Sequence, residues 1–101
     1  MTIKLIKRSA EQVELQLEGR LDTNSAPAAQ ESFLKIAGEY ANIELNFTSL
    51  DYISSAGLRS LLMLQKQVNK TNGSLTLTHV SPAVQEVFEI TGFSSILNIK
   101  A

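Results

Sequence analysis

The 101-residue sequence has no cysteine, no tryptophan, two prolines and a single histidine, His79. Without cysteine there is no disulfide, no thiolate metal site and no thiol nucleophile. One histidine cannot form a His-x-x-x-His zinc pair, and no paired-carboxylate spacing takes its place. The one glycine-bearing polar turn, Asn72-Gly73-Ser74, has neither the length nor the lysine of a phosphate-binding loop. Nine Lys and Arg stand against ten Asp and Glu, for a net charge of −1. That balance lacks the concentrated basic surface a nucleic-acid binder needs. No run approaches the ~18 apolar residues of a membrane span. Met1 to Arg8 alternates apolar and charged residues, unlike the ~7–15-residue apolar segment of a signal peptide. These absences predict a soluble, cytoplasmic protein that uses neither nucleic acid nor membrane.

The residues present are those of an ordinary globular domain, 44% hydrophobic and 19% charged. The length allows one domain, 1–101, because chains divide only at ~100–200 residues per domain. So short a chain buries only ~60–70% of its unfolded surface, which leaves no room for a deep substrate chamber and puts any site on the surface.

Ile3, Leu5 and then Val13, Leu15 and Leu17 alternate with polar residues, the period-2 mark of strands with one wet face. Arg8 to Glu11 reads as the turn between them, and Gly19 as the end of the second strand. Ser25 begins a helix with Pro27 in its first turn and an apolar stripe of Phe33, Leu34, Ile36 and Ala37 before Gly38. Ile43, Leu45 and Phe47 form a third strand, followed by a loop from Ser49 to Ile53. A long helix then runs from Ser54-Ser55-Ala56-Gly57 to about Lys70, ended by Thr71-Asn72-Gly73 with glycine suited to the left-handed position. Leu75, Leu77 and Val80 suggest a fourth strand, Ser81-Pro82 opens a last helix that ends at Gly92, and Ile96, Leu97 and Ile99 suggest a fifth strand. The order ββαβαβα predicts an α/β domain with helices packed on a central sheet.

A serine hydrolase would have to recruit His79 as its base. His79 sits at the end of a short strand, and Ser54-Ser55-Ala56-Gly57 lacks the G-x-S-x-G turn that exposes a hydrolase serine. These negatives argue against an enzyme, and nothing calls for a cofactor or metal.

The informative segment is Leu50 to Arg59, where the chain leaves a buried strand and enters a helix with two serines in the turn. Either the pair simply caps the helix, or one serine caps while the other faces solvent beside the helix N-terminus. There a phosphate is favoured by ~0.3–1 kcal/mol through the helix dipole and free N–H groups. At ~100° per residue, Leu58, Leu61, Leu62, Leu64 and Val68 make the core face. Arg59, Met63, Lys66, Gln67 and Lys70 gather opposite. Met63 on that basic face has the adaptability of a docking residue. Ser55, Arg59, Met63 and Lys66 together outline a partner-docking stripe that begins at a switchable hydroxyl.

Ile53-Ser54-Ser55-Ala56-Gly57-Leu58, preceded by the Ile43 to Phe47 strand and by Gly19-Arg20-Leu21-Asp22 upstream, resembles the STAS domain of bacterial anti-sigma factor antagonists. The likeness runs over essentially the whole chain. It implies a single STAS domain with a mixed central sheet of four to five strands, helices packed on one side, and no enzymatic activity. It also implies two partners: an anti-sigma factor that is a serine kinase, and a metal-dependent serine phosphatase acting on the phosphorylated form. By the same resemblance Ser55 is the phosphorylated residue, with Asp22, Ser54 and Gly57 as its neighbours; Arg59, Met63 and Lys66, read from the helix face, are the expected partner contacts. Three alternative roles are open for Asp22: to orient Ser55, to assist a kinase's phosphoryl transfer, or simply to cap the Ser25 helix through its turn. The family's third strand commonly ends in Asp, where this chain has Asn46, a departure that bears on partner choice. A monomer is the default expectation. The alternative is an unphosphorylated STAS scaffold subunit of a transporter or other regulatory complex.

Overall fold

The computed structural model describes residues 1–100. Its order is β1 (Thr2–Lys7), β2 (Gln12–Leu21), α1 (Ala26–Ala37), β3 (Asn42–Ile53), α2 (Ser55–Lys70), β4 (Ser74–Thr78) and α3 (Pro82–Thr91), with a 3-10 turn at Phe93–Ser95. The sheet order is β1-β2-β3-β4, with β1 antiparallel to β2 and the remaining pairs parallel. The two crossovers, β2-α1-β3 and β3-α2-β4, step across the sheet in the same direction, so a common handedness places both helices on one face. α3 joins them there, with the Phe88 ring edge-on to Phe47 at 6.1 Å.

Alternation in the strands follows from this one-sided cover. Val13, Leu15, Leu17, Ile43, Leu45, Phe47, Leu75 and Leu77 are buried under the helices. The other face carries Gln16, Glu44, Asn46 and Thr76. On it Glu14 is only 3% exposed, yet fully partnered. Its carboxylate accepts from Asn46 Nδ2 at 3.0 Å and Gln16 Nε2 at 3.2 Å, and pairs with the Arg8 guanidinium. The Asn46 hydrogen bond, and after it Arg8, holds the Glu14 carboxyl below its ordinary 4.5.

Several expectations are corrected. β2 runs through Gly19 to Leu21 and β3 through the expected loop to Ile53; register shifts at Gln16/Glu18 and Gly19/Arg20, with Gly19 at φ +95°, let the two strands stay paired past the irregularity. The left-handed residue after α2 is Asn72 (φ 59°), not Gly73. Gly73 is needed for space, since a Cβ there would run into the Ala41 carbonyl oxygen. β4 stops at Thr78, so Val80 lies outside it. The expected fifth strand is reduced to one bridge between Leu77 and Ile99, and the sheet has four strands. Leu62 is half-buried and not in the core; Ser60 is buried in the helix instead, its hydroxyl donating to the Gly57 carbonyl at 2.6 Å.

Asn46 sits in mid-sheet, paired with Gln16 and Thr78, seven residues before Ile53 and so about 20 Å from the end of the strand. Its role here is to hold Glu14. Because the folded-state pKa of Glu14 is lowered, its contribution to stability is complete above the ordinary value of 4.5 and is lost as pH falls through the lowered one. Asn46→Asp removes the donor and sets a second carboxylate beside the first. It is expected to destabilise by about 1 kcal/mol at pH 7, with the gap to the parent narrowing below about pH 5 as one carboxyl takes up a proton. Urea midpoints at the two pH values check this; a gap that is constant or widens in acid would contradict the assignment.

Candidate functional site

β2 and β3 are adjacent and parallel, so the loops that follow them leave the same end of the sheet. Leu21 pairs with Ile53, and the next amide, Ser54 N–H, donates to the Leu21 carbonyl at 2.9 Å. Ser54 is extended (φ −100°, ψ 175°), its carbonyl accepts from Leu58 N–H at 2.9 Å, and its Oγ accepts from Gly57 N–H at 3.3 Å. It is the N-cap of α2. Ser55 is the first helical residue, and its side chain is exposed. No hydrogen bond among the described residues engages its hydroxyl. Of the two readings of the serine pair, the geometry is that of one capping serine and one free one.

Gly57 is the reason α2 can start so close to the sheet. A Cβ on it would lie 2.6 Å from the Leu21 carbonyl oxygen, 2.8 Å from Leu21 Cγ and 2.9 Å from Ile53 Cγ1. The same Leu21 oxygen accepts the Ser54 amide, so the glycine and the turn are coupled through one atom.

Asp22 begins the neighbouring loop. Its Oδ1 accepts from the amides of Asn24 at 3.0 Å and Ser25 at 3.1 Å, and its carbonyl accepts from Ala26 N–H at 2.8 Å. That is capping geometry, so Asp22 caps the turn leading into α1. Ser25 does not cap; its hydroxyl donates to the Arg20 carbonyl at 2.7 Å and accepts from the Asp22 amide at 2.9 Å. The Ser25 amide, ahead of Asn24 and Arg20, holds the Asp22 carboxyl below its ordinary 3.8. Asp22 Oδ2 lies 3.6 Å from Arg20 Nε, and the Arg20 guanidinium sits 4.2 Å above the Tyr52 ring. No hydrogen bond joins Asp22 to Ser55 among the described residues.

Ser55, Arg59, Met63 and Lys66 are all exposed and fall within an arc of about 80° on α2. Leu62, seven residues after Ser55, belongs by the same arithmetic to this face, which is why it is not in the core. With Met63, Ala56 and Arg59 it forms one wall of an apolar groove whose other wall is Ala26, Pro27 and Leu34 of α1. Leu62 lies about 100° from Leu61 around the helix but only about 20° from Ser55, at the border of the core arc, and that angle is the signal that separates it from the core leucines.

His79 is exposed and left-handed at φ 56°, directly after Thr78. Thr78 pairs with Asn46, so His79 is about 20 Å along the sheet from Ser54 and Ser55. The structure does not bring the histidine to either serine. Among the described residues, no group of three or more His, Cys, Asp or Glu could hold a metal, and no helix is long and apolar enough to cross a membrane.

The STAS domain model matches residues 4–101. The chain belongs to the STAS domain family. It is 37% identical over 91 residues to BtrV of Bordetella bronchiseptica, named as a candidate anti-sigma factor antagonist; the alignment covers 90% of this chain and 66% of BtrV. It is 29% identical over 96 residues to the anti-sigma-B factor antagonist of Bacillus subtilis, covering 95% of this chain and 88% of that protein. The fold is that of Bacillus SpoIIAA, with TM-scores of 0.78 to its unphosphorylated and 0.76 to its phosphorylated form, each at 22% identity over 99% of this chain and 88% and 92% of the SpoIIAA chains. These STAS relatives are regulatory proteins by name.

Proposed function

We propose that this STAS domain is an anti-sigma factor antagonist switched by phosphorylation of Ser55. In the unphosphorylated state the α2 stripe of Arg59, Met63 and Lys66 docks on an anti-sigma factor that is also a serine kinase, excluding sigma from it. The kinase transfers the γ-phosphoryl group of ATP to Ser55. The Oγ–P bond forms, the bond to the β,γ-bridging oxygen breaks, ADP leaves, and the hydroxyl proton passes to a base of the kinase. A metal-dependent phosphatase reverses the step by hydrolysis, releasing inorganic phosphate. The observation that carries this reading is the free, exposed Ser55 hydroxyl at the head of the stripe, beside a serine already committed to capping. The names of the Bordetella and Bacillus relatives support the antagonist role.

A phosphate on Ser55 adds ≈ −1.5 to −2 charges where the α2 dipole and open amides favour them, so the fold has no reason to rearrange. The test is intact mass and peptide mapping after incubation with host extract and Mg-ATP. The expected result is one phosphate on Ser55 that disappears in Ser55→Ala. No phosphate, from an extract active on a known substrate, would favour an unphosphorylated scaffold with an ATPase partner.

A further inference from the structure

Ser55 and Arg59 stand four residues apart on α2, and both are exposed. Helix side chains lean toward the N-terminus, so a long side chain at i+4 covers the turn that carries residue i. Arg59 is thus placed to reach the turn of Ser55. It has no carboxylate within 4 Å among the described residues, where the ion pairs are Arg8–Glu14 and Arg20–Asp22. Arg20, the cation at the end of β2 beside the adjoining loop, is held between Asp22 and the Tyr52 ring. Two other charged groups flank this turn: Asp22, whose Oδ1 is occupied by the amides of its own loop, and Glu31 of α1, which lines the groove together with Arg59.

We propose that Arg59 is the internal counter-ion of phosphorylated Ser55. The inference rests on Ser55 as the phosphate acceptor and adds a second effect to the switch. The phosphate not only brings negative charge to the docking face but also draws Arg59 out of the docking stripe into an i,i+4 pair on its own helix. Lys66, eleven residues from Ser55 and three turns away, is too distant to take its place.

The test uses the whole chain with phosphoserine incorporated at position 55 during translation, which removes any dependence on a kinase. The second ionisation of the phosphate is followed by phosphorus NMR in the parent chain and in its Arg59→Gln, Arg59→Lys and Arg20→Gln variants. The expected result is a pKa about half a unit lower in the parent than in Arg59→Gln. Lysine should restore part of the shift, Arg20→Gln should leave it in place, and ~1 M salt should shrink it. The helix dipole acts equally in all four chains and cancels. Coincident titrations of the parent and Arg59→Gln would overturn the proposal, as would an equal shift on removing Arg20. A kinase found to modify another serine would remove Ser55 as the acceptor while leaving this titration as it is, so the two failures are distinguishable.

Discussion

Stoichiometric phosphorylation of Ser55 is expected to weaken binding to the purified anti-sigma partner by about two orders of magnitude, the ~3 kcal/mol cost of added bulk and like charge in a formed interface. The loss comes from three sources at one spot. A bulky dianion sits where the hydroxyl was, Asp22 adds negative charge in the adjoining loop, and Arg59 is drawn toward the phosphate. Amide chemical shifts should change only near the α2 N-terminus, the Asp22 loop and the Arg59 turn. Calorimetric titration of the two forms, with backbone shifts recorded on the same samples, checks both parts. Equal affinities, or a refolding that spreads through the sheet, would contradict the steric and electrostatic block.

The second large effect is structural. Gly57→Ala is expected to cost about 2–3 kcal/mol, in the range of overpacked sites, since its methyl group would enter the space of a backbone oxygen and two buried side chains. Relief requires α2 to lift from Leu21, which stretches the 2.9 Å bond from the Ser54 amide. The variant should therefore lose stability and misplace the switch together, seen as a lowered urea midpoint and shifted Leu21 and Ser54 amides. Ala56→Gly, one residue earlier and half-buried, should cost only about 1 kcal/mol, the helix propensity of glycine. A fully stable Gly57→Ala variant with unmoved Ser54 would show that the close approach is not required.

The contrast between these residues shows what was legible beforehand. One capping serine beside a free one and the Arg59, Met63, Lys66 face are readable because helix geometry links residues only a few positions apart, whereas the Gly57 amide bonded to Ser54 Oγ decides which serine caps. Gly57 stood out in the S-S-A-G-L segment through a family resemblance, but the physical reason for it depends on Leu21, thirty-six residues earlier. The continuation of β3 over Ser49 to Ile53 was hidden because those residues are mixed in polarity and the strand is irregular there, so pattern alone read a loop. β2 was cut short at Gly19 for a similar reason: a left-handed glycine signals a turn, whereas here it sits within a bulged strand.

Local patterning along the chain is enough to place the one-sided core, through the alternation of Val13, Leu15, Leu17, Ile43, Leu45 and Phe47, and the serine-capped starts of α2 and α3. Those properties are set by 2.0- and 3.6-residue periods and by side chains bonding amides three positions on. It took the packed fold to establish that Asn46 serves Glu14, that Asp22 holds the turn leading into α1, that Leu62 faces a groove and that Gly73 must clear Ala41. Three of these depend on which strands and helices lie side by side, and Asp22 on how its loop folds back. The parallel crossovers that bring Leu21 to Ile53 and Ser54 join residues about thirty positions apart, a distance over which no sequence period carries information.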